Sequence, residues 1–249
     1  MNDLVYGRNP VLALLRERAR RADEVAVLSG AGGPLTEVVS LARRAGVKVS
    51  YRTRDQLTAI AGSPHHQGVV ARVASAEYVD LSALERIPRE RGEAAFFLAL
   101  DQVHDPRNLG ALLRTADAFG AHGVIVPKHH QVGVTSAAAR TAMGAVESVA
   151  VARETNLVSA LEQLKKSGVW IHGAVLEGGI SPWAADLSGP LCLVLGSEGE
   201  GLRPLVARTC DFLLSIPMVG QVGSLNVSAA GAVLCYEVAR QRAAGPKTS

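Results

Sequence analysis

Phe96-Phe97-Leu98-Ala99-Leu100 runs directly into Asp101-Gln102-Val103-His104-Asp105-Pro106-Arg107-Asn108-Leu109-Gly110. Five consecutive apolar residues leave no polar face, which is the pattern of a strand covered on both sides. Asp105-Pro106 favours a turn, and a helix is expected over about residues 108–119. The same alternation then repeats. Strands are expected at Gly123–Val126, Val149–Ala152, Val169–Gly173, Leu191–Leu195 and Phe212–Ile216, with helices at about 135–143, 156–167 and 225–241. Buried strands alternating with helices predict an α/β domain on a mostly parallel sheet, over residues 93–249.

Toward the N-terminus, residues 76–92 are charged, carry Pro88 and lack a sustained apolar period, which suits a linker with at most one short helix. Residues 1–75 read as a small α/β unit. Asn9 and Pro10 start a helix over about 9–20, with Asn9 as cap and proline at the first helical position. A strand at Val25–Leu28, a helix from Leu35 to Ala45 closed by Gly46, a strand at Val47–Val49, a helix near 55–61 and a strand at Val69–Val73 follow.

The composition, 48% hydrophobic and 20% charged without a long polar tract, is that of a folded globular protein. No apolar run approaches the roughly 18 residues of a membrane span, and the first residues contain no apolar signal region, so a cytoplasmic protein is expected. Cys192, Cys210 and Cys235 form neither an even set nor a CxxC pair, which predicts free thiols rather than disulfides or a zinc site. The doublets His65-His66 and His129-His130 have no metal-ligand company and read as surface residues. The net charge of +3 is small, but residues 1–75 carry 11 Lys and Arg against 6 Asp and Glu, while residues 93–249 carry 12 against 13. A basic N-terminal unit beside a near-neutral one suits a polyanion-gripping module, or a merely solvated basic face.

Three clusters carry chemistry, each just beyond the C-terminal end of an expected strand, where open α/β sheets bind ligands. The first is the quoted stretch, in which Arg107, Ala111 and Arg114 share one helix face that a phosphate or plain solvent would suit. The second is Leu195-Gly196-Ser197-Glu198-Gly199-Glu200-Gly201-Leu202, whose glycines expose backbone N–H groups. Its spacing is not the dinucleotide G-x-G-x-x-G and it lacks a phosphate-loop lysine, so it points to a small molecule other than NAD or ATP. The third is Ile216-Pro217-Met218-Val219-Gly220-Gln221-Val222-Gly223-Ser224-Leu225-Asn226-Val227-Ser228, which leads into the last helix with Ser224 as a natural cap.

Together these clusters resemble the three signature motifs of the SpoU family, also called TrmH-like, within the SPOUT RNA methyltransferases; the match covers about Phe96 to Arg242. Tyr6-Gly7-Arg8-Asn9-Pro10-Val11 and His66-Gln67-Gly68-Val69-Val70-Ala71 further resemble family members that methylate a guanosine of 23S ribosomal RNA in the peptidyl-transferase region. The resemblance implies a C-terminal trefoil knot and a small N-terminal substrate-binding domain of L30e-like fold. It also implies S-adenosylmethionine as methyl donor, with no metal, and a homodimer built on the C-terminal domain.

By the same resemblance, Ala174, Gly196, Gly199, Ile216, Met218, Ser224 and Leu225 surround the adenosyl group. Arg114 serves the ribose nucleophile, Asn108, Glu198 and Asn226 orient the reacting groups, and Arg8 and Arg107 contact RNA. Arginine is a poor base, because its side chain stays protonated above about pH 12, which favours Arg114 as a clamp on the forming alkoxide. Other readings are a transfer RNA or resistance-type ribosomal target, a non-catalytic RNA-binding assembly protein, and a nicotinamide oxidoreductase disfavoured by the glycine spacing.

Overall fold

The computed structural model describes residues 3–17, 19, 22–30, 32–73, 78–128, 134–142 and 145–245. The chain divides into two compact units, residues 1–77 with 134–137, and residues 78–133 with 138–249.

In the first unit, β1 (Asp3–Tyr6), β2 (Ala22–Leu28), β3 (Lys48–Arg52) and β4 (Val69–Val73) form one sheet in the order β1-β4-β2-β3. The β2 and β3 strands are parallel, while β4 runs antiparallel to β1 and β2. Side chains alternate across this sheet. Val25, Val27, Val69 and Ala71 face α1 (Arg8–Glu17) and α2 (Thr36–Arg44), whereas Ala26 and Val70 face Leu57 of α3 (Arg54–Ala61). Thr53 and Gln56 make a reciprocal capping box at the start of α3.

Two departures from the sequence reading fall at the start of this unit. The strand β1 has no expected counterpart, being four residues at a chain end. Helix α1 starts at Arg8 rather than after Asn9, because Gly7, at φ 93°, turns the chain directly out of β1 and accepts from the Val11 amide. Pro10 still lies within the first turn, where a missing N–H costs nothing.

The second unit is built on seven strands in the order β11-β9-β10-β6-β7-β8-β5, every paired neighbour running parallel. These are β5 (Tyr78–Val79), β6 (Phe96–Leu100), β7 (Gly123–Pro127), β8 (Ala150–Glu154), β9 (Trp170–Ala174), β10 (Leu191–Leu195) and β11 (Phe212–Leu214). Every residue of β6, β7 and β10 is buried, as unbroken apolar strands require. One face packs against α4 (Leu81–Arg91), α8 (Leu157–Lys166) and α9 (Pro204–Thr209) through Leu84, Leu161, Leu164 and Val206. The other carries α5 (Pro106–Ala118) and α10 (Val227–Ala243); between β7 and β8 the chain forms the short helices α6 (Ser136–Ala142) and α7 (Ala145–Ser148). A Cβ on Gly231 would stand 2.4 Å from Leu112 and 3.0 Å from Leu195, so α10 lies tight against α5 and β10.

The stretch 76–92, expected as a linker, gives β5 and α4 from Tyr78 onward. Only Leu81, Leu84, Glu85 and Pro88 of α4 are buried, one thin stripe among charged neighbours, and Pro88 sits in the last turns before the left-handed cap Gly92. Strand β11 ends at Leu214, two residues short of the expected Ile216, which frees Ser215 and Ile216 for the loop beyond. Strand order reverses between β6 and β10, and the ends of those two strands bracket the site described next. No helix among the described residues is long and apolar enough to cross a membrane.

Candidate active site

After β10 the glycine segment folds back on itself. The Ser197 amide donates to the Gly201 carbonyl at 3.0 Å, and the Gly201 amide to the Ser197 carbonyl at 3.1 Å. Gly199 and Gly201 take left-handed φ values of 99° and 69°. A Cβ at Gly196 would stand 2.2 Å from the Gly201 carbonyl carbon, so no larger residue fits. The far end of this loop is clasped to β6. Asp101, fully buried just after β6, accepts from the Arg203 backbone N–H at 2.8 Å and from Arg203 Nε at 2.7 Å. Neither Asp101 nor Arg203 was singled out by sequence reasoning, although an aspartate directly after an apolar strand is the signal that could have found the clasp.

Two helix starts meet this loop. Asp105 caps α5 by accepting from the Arg107 amide at 2.7 Å, which places Asn108 in the first turn. Asn226 caps α10, its Oδ1 accepting from the Ser228 amide at 2.9 Å, Ser228 Oγ at 2.5 Å and the Ala229 amide at 3.4 Å. With Oδ1 committed to donors, Nδ2 of Asn226 must face the other way. It donates to Asn108 Oδ1 at 3.1 Å and to Glu198 Oε1. Asn108 Nδ2 donates to the same Glu198 oxygen at 2.9 Å. Three side chains, one from the glycine loop and two from helix starts, thus form a closed ring, with one carboxylate oxygen accepting from two amides. The cap of α10 is Asn226 and not Ser224, so the capping role expected of Ser224 belongs two residues later.

A cavity of about 350 Å³ opens beside the ring and includes Glu198 and Asn226 in its wall. Ala174, Gly196, Gly199, Ile216, Met218, Ser224 and Leu225 all line it. Its remaining walls are largely apolar, with Leu176, Leu195, Leu214, Val227 and Leu234. Among the described residues the amides of 216 and 218–225 donate no backbone–backbone hydrogen bond, and Pro217 has none to give. An apolar slot edged by free backbone groups suits a flat heterocycle carrying a polar tail. The glycine loop, the ring and the size of the cavity therefore fit an adenosyl compound.

Residues 95–236 match the SpoU rRNA Methylase family, and residues 4–79 match the family described as RNA 2'-O ribose methyltransferase substrate binding. The chain belongs to the SpoU rRNA methylase family. It is 43% identical over 244 residues to the 23S rRNA (guanosine-2'-O-)-methyltransferase RlmB of Ralstonia nicotianae, covering 98% of this chain and 97% of that one. It is 41% identical over 241 residues to the putative TrmH family tRNA/rRNA methyltransferase YacO of Bacillus subtilis, covering 97% and 96%. The SpoU methyltransferase AviRb of Streptomyces viridochromogenes, solved in complex with the cofactor AdoMet, superposes with a TM-score of 0.61 at 26% identity, covering 97% of this chain and 91% of that one.

The remaining residues singled out in this SpoU chain are not part of the cavity wall. Arg107 and Arg114 do not line it. Arg107 is engaged by its own helix cap, Nη2 lying 3.0 Å from Asp105 Oδ2, and that contact holds the Asp105 carboxyl below its ordinary range. Arg114 is exposed on α5. Arg8 belongs to the other unit, in the first turn of α1. His66, expected at the surface, is buried at 1% exposure: its Nδ1 accepts from the Gly68 amide and its Nε2 lies 3.1 Å from Thr58 Oγ1. The imidazole supplies turn contacts that no surface residue could, which is the reason for its burial. His129 and His130 lie outside the described residues. The three cysteines are free, and burial pushes the Cys235 thiol up to about 12.

Proposed function

We propose that this protein transfers a methyl group from S-adenosylmethionine to the ribose 2′-hydroxyl of a guanosine in 23S ribosomal RNA, in the cytoplasm. The observation that carries the reading is the Asn108–Glu198–Asn226 ring closing one side of the glycine-edged cavity. S-adenosylmethionine supplies an electrophilic methyl on a sulfonium. The chain's own task is positioning, because an in-line approach of two held groups removes much of the barrier. Apolar walls and the free amides of the loops at Gly196, Ile216 and Leu225 hold the adenosyl group, with Ala174, Gly199, Met218 and Ser224 around it. Asn108, Glu198 and Asn226 orient the reacting groups at the mouth.

Arg114 clamps the nucleophile and stabilises the forming alkoxide. Arginine is in general a poor base, so the ribose proton leaves to another acceptor, for which the neighbouring RNA phosphate is a candidate. Arg107 meets the RNA backbone after exchanging Asp105, an exposed partner that gives up little on release. Residues 1–75, with Arg8, form the substrate-binding domain, of L30e-like fold, and residues 93–249 the catalytic domain, with its C-terminal chain knotted. Two copies pair through α5 and α10. Val227, Gly231, Leu234 and Val238 of α10 are buried within the chain, which leaves Val233 and Tyr236, 43% and 58% exposed, as its apolar contribution to the pairing.

Incubating the purified protein with labelled S-adenosylmethionine and transcripts of either 23S or transfer RNA tests the reading. Label incorporated into 23S RNA alone is the expected result. Labelling of transfer RNA alone would overturn the target, and labelling of neither would overturn the activity.

A further inference from the structure

The first unit holds a cavity of its own, of about 430 Å³, lined by Arg8, Asn9, Gly32, Pro34, Leu35 and Gln67. It brings together three segments, the turn into α1, residues 32–35, and the turn at His66-Gln67-Gly68 almost sixty positions from the first. Their junction is rigid. Gln67 Oε1 accepts from the Arg8 backbone N–H at 2.9 Å, and the Gly7 amide donates to the Val69 carbonyl at 3.1 Å. Below them the buried His66 ring holds the Gly68 amide at 3.0 Å. Because Gln67 has its oxygen turned inward to Arg8, its Nε2 is left as an available donor.

Apart from the bond between Gln67 and the Arg8 amide, the polar side-chain groups around this cavity lack partners among the described residues. Arg8 Nε is buried without a hydrogen bond, and no ion pair to the Arg8 guanidinium occurs among the described residues. The side chain of Asn9 is exposed at the rim. Pro34 and the buried Leu35 give the opposite wall an apolar surface. A lone phosphate would use the arginine and leave the apolar wall and both amides idle. A nucleotide uses all of them, since its phosphate pairs with guanidinium, its base stacks on apolar surface and its edge matches side-chain amides. The surplus of Lys and Arg in residues 1–75 draws a polyanion to this unit in particular.

We infer that this cavity seats one unstacked nucleotide of the substrate RNA, its phosphate on Arg8 and its base edge on Gln67 and Asn9. The inference rests on the reading of RNA as substrate, and it adds a specificity pocket to a unit that would otherwise grip by charge alone. Sequence-specific RNA recognition works on such splayed bases, whereas diffuse lysine and arginine contacts do not discriminate.

The test uses the full-length protein and a 23S transcript, comparing Arg8→Ala, Gln67→Ala and, as a control with equal charge loss, Arg44→Ala on the exposed end of α2. Arg8→Ala should weaken RNA binding about ten-fold, and Arg44→Ala about two-fold or less. Gln67→Ala should lower affinity for the natural sequence while leaving the slope of affinity against salt unchanged. S-adenosylmethionine affinity should stay constant in all three. Arg8→Lys, which keeps the charge, guards against misfolding as the cause and should recover only part of the loss. Equal effects of Arg8→Ala and Arg44→Ala, or no effect of Gln67→Ala, would overturn the pocket while leaving the proposed activity standing. Failure of the wild-type protein to bind or methylate the transcript would instead overturn the proposed activity.

Discussion

Asn108 and Glu198, 90 positions apart in the chain, are joined by a 2.9 Å hydrogen bond from Nδ2 to Oε1. Asn226 reaches both of them, so side chains tie the start of α5, the loop after β10 and the start of α10 to one another. Groups that share partners in this way should not act independently. Asn108→Ala and Asn226→Ala are expected to couple by about 1 kcal/mol, so that the double variant loses less methyl-transfer activity than the product of the single losses. Strict multiplicativity in a double-mutant cycle on turnover would mean that the ring is not a working unit.

Ser228 sets which way the Asn226 amide faces, because its N–H and Oγ both donate to Oδ1. Ser228→Ala removes one of those donors and should reduce turnover several-fold, with Ser228→Thr restoring most of it. The cost in stability should be about 1 kcal/mol. Full activity of Ser228→Ala would show that the helix amides hold the Asn226 orientation unaided.

Arg114→Ala is expected to abolish methyl transfer while S-adenosylmethionine affinity, measured by calorimetry, stays within a few-fold of wild type. The reason is the separation already described, since Arg114 lies on α5 outside the cavity wall. Arg114→Lys should rescue poorly, lacking the planar fork. Near-normal turnover in either variant would remove Arg114 from the mechanism.

The Asp101–Arg203 clasp ties the glycine loop to β6 through a fully buried carboxylate. Asp101→Ala strands the Arg203 N–H and its guanidinium and should cost about 3 kcal/mol in urea unfolding. Cofactor affinity should fall with it, as the loop that holds Glu198 loosens. Loss of stability with unchanged cofactor affinity would show that the loop keeps its shape without the clasp.

His172 is buried within β9, stacked on Phe212 at 5.2 Å, and burial lowers its pKa below the ordinary 6.5. The folded protein therefore prefers the neutral ring. Its contribution is complete above pH 6.5 and is lost as pH falls from there toward the lowered folded value, where unfolding takes up a proton. Melting temperature should drop between pH 7.5 and pH 5.5 more in wild type than in His172→Gln, which cannot titrate. Parallel pH profiles for the two proteins would contradict this.

Much of the fold was legible because strands covered on both faces cannot hide. Phe96–Leu100 and Leu191–Leu195 stand where their apolar runs put them, and Gly123–Val126 extends by one residue to Pro127. Helix α4 was less legible, since a stripe of Leu81, Leu84 and Pro88 among charged residues also describes a linker. The β1 strand needed a partner, β4, more than sixty residues away before its four residues meant anything. At the site, glycine spacing and motif order drew attention to the residues that line the cavity. The ring itself was not readable, because each of its hydrogen bonds joins positions whose proximity depends on the sheet order. Nor was the burial of His66, which follows from a turn at Gln67 with φ 51°. Arg107 looked like a free phosphate contact, and only the cap geometry shows it held by Asp105.

Methylation of a ribosomal ribose by this chain should be visible in the cell. Mapping 2′-O-methylguanosine in 23S RNA from cells lacking the protein, from those cells supplied with the wild type, and from those supplied with Glu198→Ala reads it out. One guanosine should lose its 2′-O-methyl group without the protein, regain it with the wild type and stay unmethylated with the variant. An identical methylation map in all three would contradict it.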